Sequence, residues 1–155
     1  MTRIVFTAMT AKDAEAFRNG NPDANGQKPE RSIATGTYPC RVCLGQIEDG
    51  EAMLLLAYRP FPKLQPFAET GPIFIHAEAC SRYEASEILP PMLESPDYIV
   101  RGYGFNDRIV YGTGAVTPTD GISTYAQELL AREDIAYVHV RSARNNCYQC
   151  RIDRI

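Results

Sequence analysis

Apolar and polar residues alternate along this chain in short runs, and few runs exceed seven residues. Arg3 to Thr7 (RIVFT) reads as a strand. Thr10 then stands as a helix N-cap, with Asp13 three residues on in a capping-box pattern. Ala14 and Phe17 fall on the inward face of that short helix, and Gly20 can end it. Residues 19–32 (NGNPDANGQKPERS) are polar, rich in Gly, Asn and Pro, and read as a surface loop. Glu51 to Tyr58 (EAMLLLAY) is dense enough to be a buried strand. Arg59 to Pro72 carries Pro60, Pro62, Pro66 and Pro72, which exclude a regular element.

Ile73 to His76 follows as a short strand, and Glu78 to Leu89 has helical character up to the Pro90-Pro91 stop. Tyr98 to Tyr103 and Arg108 to Gly112 flank Gly104-Phe105-Asn106-Asp107 and predict a hairpin. Asp120 is placed to cap a helix from Gly121 to about Arg132, with Ile122, Tyr125 and Leu129 on one face. Ile135 to Arg141 and Asn146 to Ile152 predict a second hairpin around the turn from Ser142 to Asn145. The sum is an α+β fold with an antiparallel-rich sheet of hairpins and about three helices. The 155 residues suit a single domain, 1–155, able to bury about 70% of its unfolded surface without staples.

Composition narrows the function classes. A net charge of -3 argues against an electrostatic partnership with nucleic acid or an anionic membrane. No stretch of about 18 apolar residues is present, and the N-terminal MTRIVFTAMTAKDAEAF lacks a signal peptide's apolar core, so the expected location is cytoplasmic. In that compartment the five cysteines read as thiols or metal ligands rather than disulfides, and an odd number cannot all pair internally. Among the 16 basic residues only Lys12, Lys28 and Lys63 are not arginine. Guanidinium groups bind carboxylate or phosphate through a bidentate fork, which keeps a small anionic ligand in view.

Two pairs of metal-ligand residues concentrate the chemistry. Cys40-Arg41-Val42-Cys43 puts two thiols on a tight turn, and Gly45 lets the backbone amides turn inward, as in a zinc knuckle. His76 ends a strand, and Cys80 follows after three residues where the well-known zinc fingers have two. A Cys3His set of Cys40, Cys43, His76 and Cys80 would hold zinc tetrahedrally at about 2.0–2.3 Å. Over residues 38–85 the order of knuckle, hairpin and ligands at a helix start resembles the treble-clef zinc fold of LIM-like and PARP-like fingers. A redox Cys40–Cys43 pair is the weaker reading. A thioredoxin-type motif opens a helix, whereas Leu44-Gly45 leads into an extended segment.

Cys147 and Cys150 form a second CxxC, but on a strand they point to opposite faces and cannot chelate one ion. Cys150 reads as a core residue. Cys147 could reach the first site, next to Cys40. Tyr137, His139 and Arg141 share one strand face opposite Val138 and Val140. That face is either solvated or part of an anion pocket, with His139 as acid or base, Arg141 as anchor and Cys147 as a candidate nucleophile. Arg59, Glu69 and Arg101 lie near turns and could join it.

Tyr38-Pro39-Cys40-Arg41-Val42, Gly50-Glu51 before the Leu-rich strand, Ile73-Phe74, Cys147-Tyr148 and Asp153-Arg154 together resemble the bacterial family called domain of unknown function 1203. The resemblance runs from about Gly36 to the end of the chain. It implies a small bacterial protein of no assigned activity. It further implies that many members carry Ser in place of Cys43 and lack the His76/Cys80 pair, so that a four-ligand metal site would belong to a subgroup. Three functions compete: a binding or interaction module locked by a Cys3His zinc site, an enzyme acting on a small anionic substrate, and a thiol redox protein.

Overall fold

A computed structural model describes residues 1–155. The strands are β1 (Ile4–Thr7), β2 (Glu30–Ile33), β3 (Tyr38–Pro39), β4 (Gln46–Ile47), β5 (Ala52–Tyr58), β6 (Gly71–His76), β7 (Asp97–Tyr103), β8 (Ala115–Pro118), β9 (Tyr137–Ser142) and β10 (Tyr148–Arg154). Two helices, α1 (Ala11–Arg18) and α2 (Ile122–Leu130), complete the regular structure. All strand pairs are antiparallel. They make a five-stranded sheet in the order β1-β10-β9-β7-β8, a three-stranded sheet β2-β5-β6, and the small β3-β4 hairpin that carries the knuckle. The α+β expectation with an antiparallel-rich sheet therefore holds.

The alternation of apolar residues decides which faces are buried. On β9 and β7, Val138, Val140, Tyr98 and Val100 point to one side of the large sheet, where Ile122, Ala126, Leu129 and Leu130 of α2 cover them. On the three-stranded sheet Met53, Leu54, Leu56, Ile73 and Ile75 join Ala14 of α1 in a second core. The knuckle bridges the two. Cys40, Val42 and Ile47 belong to the smaller core, and Leu44 reaches into the larger one. Leu44 does so from a left-handed backbone, with φ 54°.

Several local expectations hold. Thr10 Oγ1 accepts the Asp13 N–H at 3.1 Å and starts α1. Gly20, at φ 87°, follows its end and returns its N–H to Phe17 O. The loop after α1 is shorter than 19–32, because Glu30 already enters β2. Asp23 ties that loop down, accepting the N–H groups of Asn25 and Gln27 and, through its other oxygen, that of Ala57 on β5.

Two expectations are overturned and one is cut short. Glu78 to Leu89 is not helical. Its backbone bonds outward instead: Tyr83 N–H to Val42 O, and Ser86 paired with Phe6 of β1. Arg82 donates to Met9 O and Ala8 O at 2.7 and 2.9 Å. These tertiary bonds replace the helical ones, so the segment lashes knuckle to sheet, and the treble clef's helix is missing. The helices number two rather than about three. Second, the hairpin around Gly104 to Asp107 is present but short, with Gly104 N–H to Arg108 O, Val110 N–H to Gly102 O and the bridge Tyr103–Ile109, while the long partners of β7 are β8 and β9. Third, Asp120 does not cap α2. A single 3-10 turn, Thr119–Gly121, leads into it without a side-chain cap.

Candidate metal centre

The knuckle is a tight turn between β3 and β4. Leu44 N–H bonds Cys40 O and Cys40 N–H bonds Gly45 O, both at 2.9 Å, so the two thiols are carried on a closed loop. His76 is the last residue of β6, paired with Met53, and Cys80 follows on the irregular segment. The fold brings the four together: the sulfurs of Cys40, Cys43 and Cys80 and a His76 ring nitrogen all lie within 4.8 Å of one another. This cluster can hold a metal ion.

Two of its six edges lie near tetrahedral lengths, and the rest fall within 4.8 Å. With zinc–sulfur near 2.3 Å and zinc–nitrogen near 2.0–2.1 Å, tetrahedral edges are about 3.8 Å between sulfurs and about 3.6 Å between sulfur and nitrogen. Cys40 Sγ and Cys80 Sγ are 4.0 Å apart, and Cys43 Sγ is 3.7 Å from His76 Nδ1. The other imidazole nitrogen, Nε2, meets Glu51 Oε1 at 3.2 Å. A carboxylate behind the far nitrogen orients a metal-binding imidazole and sets its tautomer. The Glu48 N–H first and then the His76 contact hold the Glu51 carboxyl below the usual carboxylate range.

The sulfurs are also prepared for negative charge. His76 N–H lies 3.3 Å from Cys40 Sγ, and Arg18 Nη2 lies 3.2 Å from Cys80 Sγ. Arg18 also donates Nε to His76 O at 3.0 Å, so α1 clamps both ligands of the second pair. Three thiols this close share protons around a single thiolate. Hydrogen bonds from Cys43 and then Cys80 pull Cys40 far below the ordinary thiol range, and bonding to Cys40 pushes the other two up. A divalent cation relieves that competition, because all three sulfurs can then bind it as thiolates.

The remaining candidates lie elsewhere. Cys147 does not join the Cys3His cluster. A bulge on β10 sets Tyr148 opposite Arg141 and Cys150 opposite Val140. Cys150 is fully buried in the larger core, as expected, and burial pushes its thiol up to about 12. Tyr137, His139 and Arg141 do share a strand face, and that face is buried rather than solvated. His139 sits among the rings of Phe61, Tyr103, Tyr137 and Tyr148, at 4.7–5.2 Å between centroids, and neither of its nitrogens has a hydrogen-bond partner. Desolvation first, then Arg141, Arg151 and Arg101, holds it well below the ordinary histidine range, so it is neutral.

Arg141 does share a cavity with Cys147. Tyr58, Glu69, Asn146 and Tyr148 also line this space of about 190 Å³. Glu69 joins the group as anticipated, bonded to Arg101 at 2.6 Å and to Asn146 Nδ2 at 3.1 Å. Arg59 turns away and donates to Phe61 O at 3.2 Å. Sequence reasoning missed the supporting roles of Glu51 and Arg18, and it missed Arg41 as a buried cation. Arg41 is 2% exposed, and burial lowers its guanidinium to about 10, against the opposing influence of Cys147 and Cys40. None of these roles carries a local signal, since each depends on a partner at least 25 residues away.

A family model described as protein of unknown function (DUF1203) matches residues 37–154. No curated protein and no solved structure matches the chain.

Proposed function

The chain belongs to the DUF1203 family, and we propose that it is a binding or interaction module whose fold is locked by one zinc ion on Cys40, Cys43, His76 and Cys80. The observation that carries this reading is the convergence of four donors within 4.8 Å of one another, with Glu51 on the far side of His76. Three thiolates and an imidazole suit zinc over harder cations, which prefer oxygen. Four protein ligands complete the shell, so such a zinc has no open position for a substrate and its work is structural. It would join residues of the knuckle, β6 and the irregular segment after it, adding to the backbone bonds from Arg41 to Phe74 and from Tyr83 to Val42.

The rival thiol reading, a reversible Cys40–Cys43 disulfide, leaves His76 and Cys80 unexplained. The convergence of all four residues supports the metal instead. No helix is long and apolar enough to cross a membrane. Five free cysteines fit a reducing compartment, and we place the protein in the cytoplasm on that ground. Elemental analysis of protein made without a tag or chelator tests the proposal. One zinc per chain is expected, and a zinc-free folded protein would sink it.

A further inference from the structure

Beside the knuckle lies a cavity of about 540 Å³ whose lining includes Arg41, Gln46, Ser142, Cys147 and Gln149. We propose that this cavity binds a small ligand through an oxyanion, carboxylate or phosphate, with Arg41 as its anchor and Cys147 on its wall. The proposal gives the binding-module reading a ligand class and does not depend on the zinc.

Arg41 is a buried cation that pairs with no carboxylate of the protein. Its Nε donates to Tyr148 O and its Nη1 to Pro39 O, both at 2.8 Å, and no ion pair of the protein includes it. Nη2 has no protein partner and is not sealed from solvent, which leaves it for the cavity that Arg41 lines. Buried charges are paired as a rule, because desolvation is costly. The sulfur cluster does not use this guanidinium as a donor, since Arg18 is the arginine bonded to Cys80.

A second buried arginine lines the neighbouring cavity. Arg141 is 4% exposed, and its Nε and Nη2 have no hydrogen-bond partner. The smaller cavity it lines shares Pro72, Asn145 and Cys147 with the larger one. Two carboxylates face these cavities: Glu69 already serves Arg101, Asn146 and Arg141, and Glu94, exposed, lines the larger cavity without an ion pair. Two buried guanidinium groups near Cys147 therefore keep N–H groups that no acceptor of the protein fills. An oxyanion beside Arg41 gives its free Nη2 an acceptor, and a guanidinium fork shielded from water is the side chain suited to hold it. Gln46, Gln149 and Ser142 add neutral polar groups that can orient the ligand. Cys147 Sγ makes one weak contact, with Asn145 O at 3.8 Å, and can serve as a reporter.

The test compares alkylation of Cys147 in the folded protein by iodoacetate and by the neutral iodoacetamide, read by peptide mass spectrometry. A free thiol reacts faster with the neutral reagent, and the denatured protein supplies that baseline. The expected result is a ratio shifted toward iodoacetate by about tenfold or more at Cys147, as one charge-assisted hydrogen bond allows. Acetate, succinate and inorganic phosphate, added separately, should slow the reaction saturably. Protection by the carboxylates alone or by phosphate alone assigns the source. Arg41→Lys, which keeps the charge but loses the fork, should reduce the shift. The wild-type protections decide the matter if that variant does not fold. A folded-state ratio equal to the denatured one, with no protection by any anion, overturns the proposal. Zinc content of the same sample is a separate readout, so zinc-free protein that still prefers iodoacetate would sink the structural-zinc reading and leave this one standing.

Discussion

His76 Nε2 lies 3.2 Å from Glu51 Oε1, and that contact leaves Nδ1 to face the sulfur of Cys43 at 3.7 Å. The bond joins the end of β6 to the residue just before β5, neighbours in one sheet. It selects the tautomer that can bind a metal through Nδ1. Glu51→Gln keeps an acceptor for the Glu48 N–H and loses the charge behind the imidazole. Zinc affinity, measured by competition with a chromogenic chelator, should weaken by about 10- to 100-fold while the fold persists. Unchanged affinity would mean that Glu51 is a surface neighbour only.

Cobalt(II) should take up the same tetrahedral site. The expected spectrum has intense visible d–d bands with thiolate-to-metal charge transfer in the near ultraviolet. Cys80→Ser should lose the charge-transfer intensity of one thiolate. A pale spectrum, typical of six-coordinate cobalt, would contradict the four-donor geometry.

Chain lashing around the centre also makes a stability prediction. Leu44 is fully buried in the larger core although it belongs to the knuckle. Leu44→Ala should cost about 2–5 kcal/mol in chemical denaturation, because a cavity opens where the knuckle is pinned. It should also speed zinc loss to a chelator. A loss under about 1 kcal/mol would show that the knuckle moves independently of that core.

His139 predicts a pH dependence. Its folded-state value lies well below the ordinary 6.5, so the unfolded chain binds a proton that the native protein refuses. The stability it allows is complete above pH 6.5 and is lost as pH falls below it, by about 1.4 kcal/mol per pH unit. His139→Phe, an aromatic ring in an aromatic cage, should flatten the slope between about pH 6.5 and 5. Denaturation midpoints of both proteins across that range are the measurement, and parallel curves would show that His139 is not the group responsible.

The strands were legible where alternation is clean, as in Ala52–Tyr58 and Tyr137–Ser142. The first helix was legible because its cap and stop are local chemistry. Glu78 to Leu89 misled because its bonds go to Val42 and Phe6, far off in sequence. The bulge at Tyr148–Cys150 was invisible for the same reason, and it decides which way Cys147 and Tyr148 face.

By itself the sequence determined the ligand pairs, since two donors within one turn or at a strand end need only the local backbone to come near each other. It determined that Val138 and Val140 oppose Tyr137, His139 and Arg141, since strand side chains alternate at any burial. The tertiary structure alone decided that the two pairs meet, that Glu51 stands behind His76, and that the His139 face is dry. It alone decided that Arg41, one residue from a metal ligand, is buried without an ion pair. Those outcomes depend on the relative placement of the sheets and the segments between them. That placement follows from burial summed over two cores, and no short stretch of residues encodes it.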